Sequence, residues 1–270
     1  MKTLKIFIAV IVCLMVTGIA YGDVWGVRAG TQGNEIININ PFTGVVGQSF
    51  AAPNFAAGNT RMGLAGWTSE LFYTNTDSEN DKVYVIDPTN GSTLNSFTVD
   101  GGWEIDGLGY WSNNVADYLY TSGCVVDDVH RYNAVNGADP FFYWSDISNP
   151  LTIAGDNGVR VFAVGANATG RFGVWEMDPL VDVAGTFFAN SPVSNIVGGA
   201  FDGTYLYLSD TSGSLYTLDK SGNRINTLDL GYNLSALAST EGVPSVPEPG
   251  TLLLISAGLA GFAAMRRRMQ

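Results

Sequence analysis

The spacing of apolar residues along this chain changes twice. Residues 4–16 and 252–265 are nearly unbroken apolar runs, whereas the stretch between them alternates apolar and polar positions in short segments. No part of that middle sustains an apolar period of about 3.6 residues, so it reads as strands separated by Gly, Asn, Asp and Pro turns.

One strand–turn–strand pattern returns along the middle: EIININPFTGVVGQSF from Glu35, KVYVIDPTNGSTLNSF from Lys82, DVHRYNAVNGADPFFYW from Asp128, GVWEMDPLVDVAGTFF from Gly173 and SLYTLDKSGNRINTLDL from Ser214. Each first strand ends on an Asn or Asp: Asn40, Asp87, Asn133, Asp178 and Asp219, at separations of 47, 46, 45 and 41 residues. Such a side chain accepts backbone N–H groups inside the turn. Pro presets φ there, and Gly or Asn takes the left-handed position. Acidic residues at these positions are therefore turn formers before they are catalysts.

Upstream of each hairpin stands another strand: VWGVRAG, ELFYTNT, DYLYTSG, VRVFAVG and TYLYLSD. Upstream of four of these lies a Gly/Ala-rich segment (RMGLAGW, EIDGLGYW, LTIAGD, NIVGGAF) suited to a crowded axis. The first unit lacks that segment, and NLSALAST at residues 233–240 has no following hairpin. Placed beside residues 24–30 it completes the first unit. A period of 41 to 47 residues and this clasp predict an all-β chain folded as a five-bladed β-propeller, with a β-sandwich as the alternative. The expected blades are 23–50 with 233–240, 62–99, 105–144, 151–188 and 196–230. At the level of pattern only, the body resembles extracellular propeller-repeat proteins.

The two ends read as transit labels. Lys2 and Lys5, an apolar run and small residues up to Gly22 predict a signal helix removed by signal peptidase, making 1–22 a signal peptide. At the other end SVPEPGT precedes the second apolar run and then Arg266, Arg267 and Arg268. The prolines keep the chain extended ahead of a short hydrophobic helix, and the arginines act as a cytoplasmic stop. Pro247, Glu248 and Pro249 followed by a helix and an Arg cluster resemble the PEP-CTERM sorting signal of Gram-negative bacteria. The resemblance covers residues 244–270. It implies recognition by an exosortase-type membrane protease, transient membrane anchoring, then delivery to the cell surface or extracellular matrix. The body, residues 23–243, lies between the labels.

Charge narrows the partners. The chain has 25 acidic and 13 basic residues; only Glu248 among the acids lies in the ends, against five of the basic residues, so the body keeps 24 acids, eight bases and a net charge near −16. Such a field repels nucleic acid and anionic lipid. Cys124 is the single thiol of the body, because Cys13 leaves with the signal, so no internal disulfide forms there.

Candidate chemistry is sparse. His130 is the only histidine, and no G-x-S-x-G accompanies it. No cofactor is called for, calcium apart: Asp77, Glu79 and Asp81 alternate as hard oxygen ligands, without an EF-hand's spacing. Trp67, Trp103 and Trp111, with Tyr110, are candidate ligand-face aromatics, since flat rings stack on sugars; core packing accounts for the same residues. The expected function is an exported surface or matrix protein with a non-enzymatic binding or scaffold domain, with extracellular polysaccharide as partner. The alternative is a polysaccharide hydrolase or lyase using Glu104, Asp106, Asp156 and Asp202 near the propeller axis.

Overall fold

A computed structural model describes residues 23–29, 33–54, 62–75, 82–99, 105–113, 116–123, 129–138, 143–144, 147–155, 160–167, 169–180 and 185–240. The signal segment, the sorting tail, Asp77, Glu79, Asp81, Trp103, Glu104, Cys124 and Asp156 lie outside these residues. The Asx turns form as their chemistry requires. Asn40 Oδ1 accepts the N–H groups of Phe42 and Thr43 at 3.0 Å each. Asp87 accepts from Thr89 at 2.8 Å, Asn133 from Val135 at 2.9 Å, Asp178 from Leu180 at 2.8 Å and Asp219 from Ser221 at 2.8 Å.

Each turn joins the third and outer strands of a four-stranded antiparallel sheet. Blade 1 is ordered β20-β1-β2-β3 and comprises β1 (Asp23–Arg28), β2 (Glu35–Ile39), β3 (Val46–Ala51) and β20 (Leu234–Thr240). Blade 2 holds β4 (Met62–Trp67), β5 (Glu70–Asn75), β6 (Lys82–Ile86) and β7 (Thr93–Thr98). Blade 3 holds β8 (Gly107–Ser112), β9 (Asp117–Ser122), β10 (Val129–Asn133) and β11 (Tyr143–Trp144). Blade 4 holds β12 (Ile147–Gly155), β13 (Val161–Asn167), β14 (Phe172–Met177) and β15 (Thr186–Ala189). Blade 5 holds β16 (Ile196–Phe201), β17 (Leu206–Asp210), β18 (Ser214–Leu218) and β19 (Arg224–Asp229). The chain is all-β through the described residues.

The clasp forms in the expected place: β20 pairs antiparallel with β1, Asp23 opposite Thr240 and Gly26 opposite Leu237. One boundary differs from the sequence reading. The inner strand of blade 4 begins at Ile147 rather than residue 151, because its pairing with β13 skips between Ser148 and Thr152. Pro150 lies in that skip, where a residue without an N–H breaks no ladder bond.

The inner strands β20, β4, β8, β12 and β16 contact one another in a closed cycle. Small residues allow it. A Cβ at Gly66 would sit 2.9 Å from the Ser239 carbonyl carbon, and one at Gly155 2.9 Å from that of Tyr110. The strands also advance together around the axis, since Gly107 lies against Thr152 while Tyr110 lies against Gly155. Five apolar clusters fill the spaces between neighbouring blades. Met62 and Tyr73 meet Val27 and Ile36, for example, and Val24 and Ile39 of blade 1 meet Tyr207 and Leu215 of blade 5, so the ring closes. This is a five-bladed β-propeller.

Antiparallel order then fixes two faces. Turns joining inner to second and third to outer strands emerge on one, the hairpin face, where Asp23 and Thr240 also lie.

Candidate functional site

A cleft of about 180 Å³ opens between blades 2 and 3 on the hairpin face. Trp67 ends β4, Glu70 and Phe72 follow on β5, Tyr110 comes from β8 and Asp117 starts β9; Leu94 and Val135 flank the opening. Its aromatic wall is layered. The Tyr110 ring stacks on Trp67 at 5.2 Å and 22°, and on Phe72 at 5.4 Å and 12°. Tyr110 is buried and Trp67 half-buried, so the indole is the ring left for a ligand.

The polar side of the cleft is anionic. The Tyr110 hydroxyl donates to Asp117 Oδ1 at 2.9 Å. Burial, then that hydrogen bond, push the phenol well above its ordinary value, so it stays protonated. Glu70 is raised above its usual 4.5, first by burial and then by the charge of Asp117. The cleft thus offers an aromatic platform, two carboxyl groups and an apolar rim. It is smaller than the roughly 300–1,000 Å³ of drug-sized sites, a size that suits one ring or one protruding side chain.

The nominated residues separate in the structure. Trp67 lies on the cleft. Trp111 is 2% exposed and packs with Tyr120, Ile153 and Trp175 between blades 3 and 4, so it is core rather than ligand surface. Asp106 precedes β8 and Asp202 follows β16, which puts them on opposite faces rather than in one axial pocket. Asp202 is also engaged in its own turn, accepting the N–H groups of Thr204 at 2.7 Å and Tyr205 at 2.6 Å and the Tyr207 hydroxyl at 2.7 Å. His130, on β10, is half-buried and stacks on Tyr132 at 6.3 Å. Among the described residues no group of three or more His, Cys, Asp or Glu side chains could hold a metal ion. No helix among them is long and apolar enough to cross a membrane.

Glu70, Asp117 and Phe72 escaped the sequence reading. A signal existed: ELFYTN and DYLYTS both open with an acid at the same place in adjacent repeats.

Solved structures similar to this chain share little sequence with it. A chain of a nidogen–laminin complex aligns at 11% identity and TM-score 0.49, over 81% of this chain and 98% of that one. One from a mitotic checkpoint complex aligns at 14% and 0.43, over 82% and 69%. BamB from Moraxella catarrhalis aligns at 15% and 0.36, over 83% and 68%. At these scores none carries over a partner or an activity. Among curated proteins, none matches the sequence. Residues 245–268 do match a family, and they identify the tail of this chain as a PEP-CTERM protein-sorting motif.

Proposed function

We propose that the propeller is the non-enzymatic binding or scaffold module of an exported surface or matrix protein, and that the cleft between blades 2 and 3 holds a sugar ring of an extracellular polysaccharide. The PEP-CTERM motif implies export, sorting by an exosortase and transient membrane anchoring. The observation that carries the binding reading is the Trp67–Tyr110–Phe72 stack beside Glu70 and Asp117. A pyranose lays its C–H face on an indole while its hydroxyls donate to carboxylates. With a body near −16, neutral or amino sugars are favoured over uronic acids.

A glycan array with the purified chain tests this. Binding to neutral or amino glycans, reduced about tenfold or more in Trp67→Ala, is the expected result, with the glycans intact afterwards. Binding unaffected by Trp67→Ala would overturn the assignment of the cleft. The raised Glu70 beside Asp117 favours one second reading, a glycoside hydrolase in which Glu70 is the acid. Shortened glycans that persist intact with Glu70→Gln would establish that reading instead.

A further inference from the structure

Among the described residues the exposed large apolar side chains are Val45, Val46, Leu94, Val135, Leu180 and Ile225, at 38% to 66% exposure. Singly exposed apolar residues are ordinary. Their placement here is not. Every one belongs to the hairpin between a third and an outer strand, and every blade supplies at least one: the β2–β3 turn, the start of β7, the β10–β11 turn, the β14–β15 turn and the start of β19. Because those hairpins share one face, the side chains form an apolar ring on it.

The chain also enters and leaves the propeller on that face. In blade 1 a single register row runs Ser239, Val24, Ile39, Val46, so an exposed valine lies level with the last residues of β20. Eleven residues, 241–251, then separate Thr240 from the apolar run of the sorting tail. Fully extended they reach at most about 40 Å.

We propose that the hairpin face is a docking surface for the lipid bilayer that holds the sorting tail. The apolar ring rests at the headgroup boundary while the tail is anchored. Short tethering supplies an effective concentration high enough for weak apolar contacts to engage, and cutting the tail removes it. Asp87, Asp178 and Asp219 stand on the same hairpins, so a zwitterionic surface suits the face better than an anionic one. The inference rests on the export label and not on the sugar reading, and its test avoids Leu94 and Val135, which line the cleft.

The chain with its sorting tail is placed in phosphatidylcholine nanodiscs containing nitroxide-labelled lipid. A fluorophore is attached through Ile225→Cys or, as the opposite-face control, Ser212→Cys, each with Cys124→Ser. Ser212 is exposed in the β17–β18 turn of the same blade. Quenching at 225 should exceed that at 212 by about threefold or more, and Val46→Ser with Leu180→Ser should abolish most of the difference. Equal quenching at both positions overturns the proposal. So does quenching at 225 that ignores the serine substitutions, because the tether alone then explains proximity. Energy transfer between labelled copies without lipid quenching also overturns it, making the face a self-interface. If the double serine variant does not fold, Val46→Ser and Leu180→Ser are read singly, each on an exposed side chain, and each should lower the quenching at 225.

Discussion

Gly91 answers two demands at once, and replacing it with alanine separates them. It sits in the Asp87 turn with φ of 75°, and a Cβ there would stand 2.7 Å from Phe50 Cβ on the outer strand of blade 1, and closer to Cγ. The left-handed conformation costs an alanine about 1–2 kcal/mol. Pushing Phe50 aside adds about 1–3 kcal/mol. The expected loss is thus about 2–5 kcal/mol. Gly231 provides the comparison, since its φ is 70° but nothing lies within 4 Å of an added Cβ. Gly231→Ala should cost the backbone share alone, about 1–2 kcal/mol. At about 2–4 °C per kcal/mol for a domain this size, calorimetric melts should fall by roughly 10 °C for Gly91→Ala and roughly 4 °C for Gly231→Ala. A double-mutant cycle with Phe50→Ala isolates the contact, and should return about 1–2 kcal/mol of coupling for Gly91 and none for Gly231. Equal losses at the two glycines would refute the argument, because blade-to-blade contact at the turn would then carry no energy. The same interlock recurs: Gly137 meets Thr98 of the preceding blade, and Gly222 meets Ala189.

Three further outcomes are expected. Hydrogen bonds from Asn223 and Thr89 hold the Asp219 and Asp87 carboxyls below their ordinary 3.8, so their stabilisation is present above that value and lost as pH falls through the lower folded one. Urea midpoints should drop below about pH 4, with a shallower slope in Asp219→Asn. Glu70 has the opposite sign: its folded value is raised, so ionising it costs stability once pH rises through that value. Glu70→Gln should therefore raise the midpoint at neutral pH, and the gain should vanish as pH approaches 4.5. Leu237→Ala on β20, 1% exposed between blades 5 and 1, should cost about 2–5 kcal/mol in the same assay.

The blades were legible in sequence because their punctuation is local. An Asp or Asn that accepts N–H groups two residues on leaves the same mark wherever it recurs, and Asn40, Asp87, Asn133, Asp178 and Asp219 kept the period visible. The clasp was legible because residues 233–240 had no partner of their own. The cleft was harder to see, since Glu70 and Asp117 meet across a blade boundary that local pattern does not describe. Tyr110 and Trp111 show a second limit. They are consecutive on β8, so they point to opposite faces of one sheet: Tyr110 joins the cluster with blade 2, Trp111 the cluster with blade 4. Both rings look alike in sequence, yet only Tyr110 reaches the cleft. The skip at Pro150 moved a strand boundary for a related reason, because a bulge hides inside an extended segment.

The pairing of β1 with β20 also sets a schedule. The leading strand of blade 1 is synthesised first, but its inner neighbour is the last strand of the body, and the PEP-CTERM motif begins only five residues after Thr240. Until residue 240 has emerged, β1 has an open edge and the neighbouring blades lack the strand that fills their axis. Closure of the ring therefore waits for the residues that directly precede the sorting motif. The motif that implies processing by an exosortase thus follows directly on the strand that closes the ring, and a body that stops short of residue 240 has neither a closed ring nor that motif.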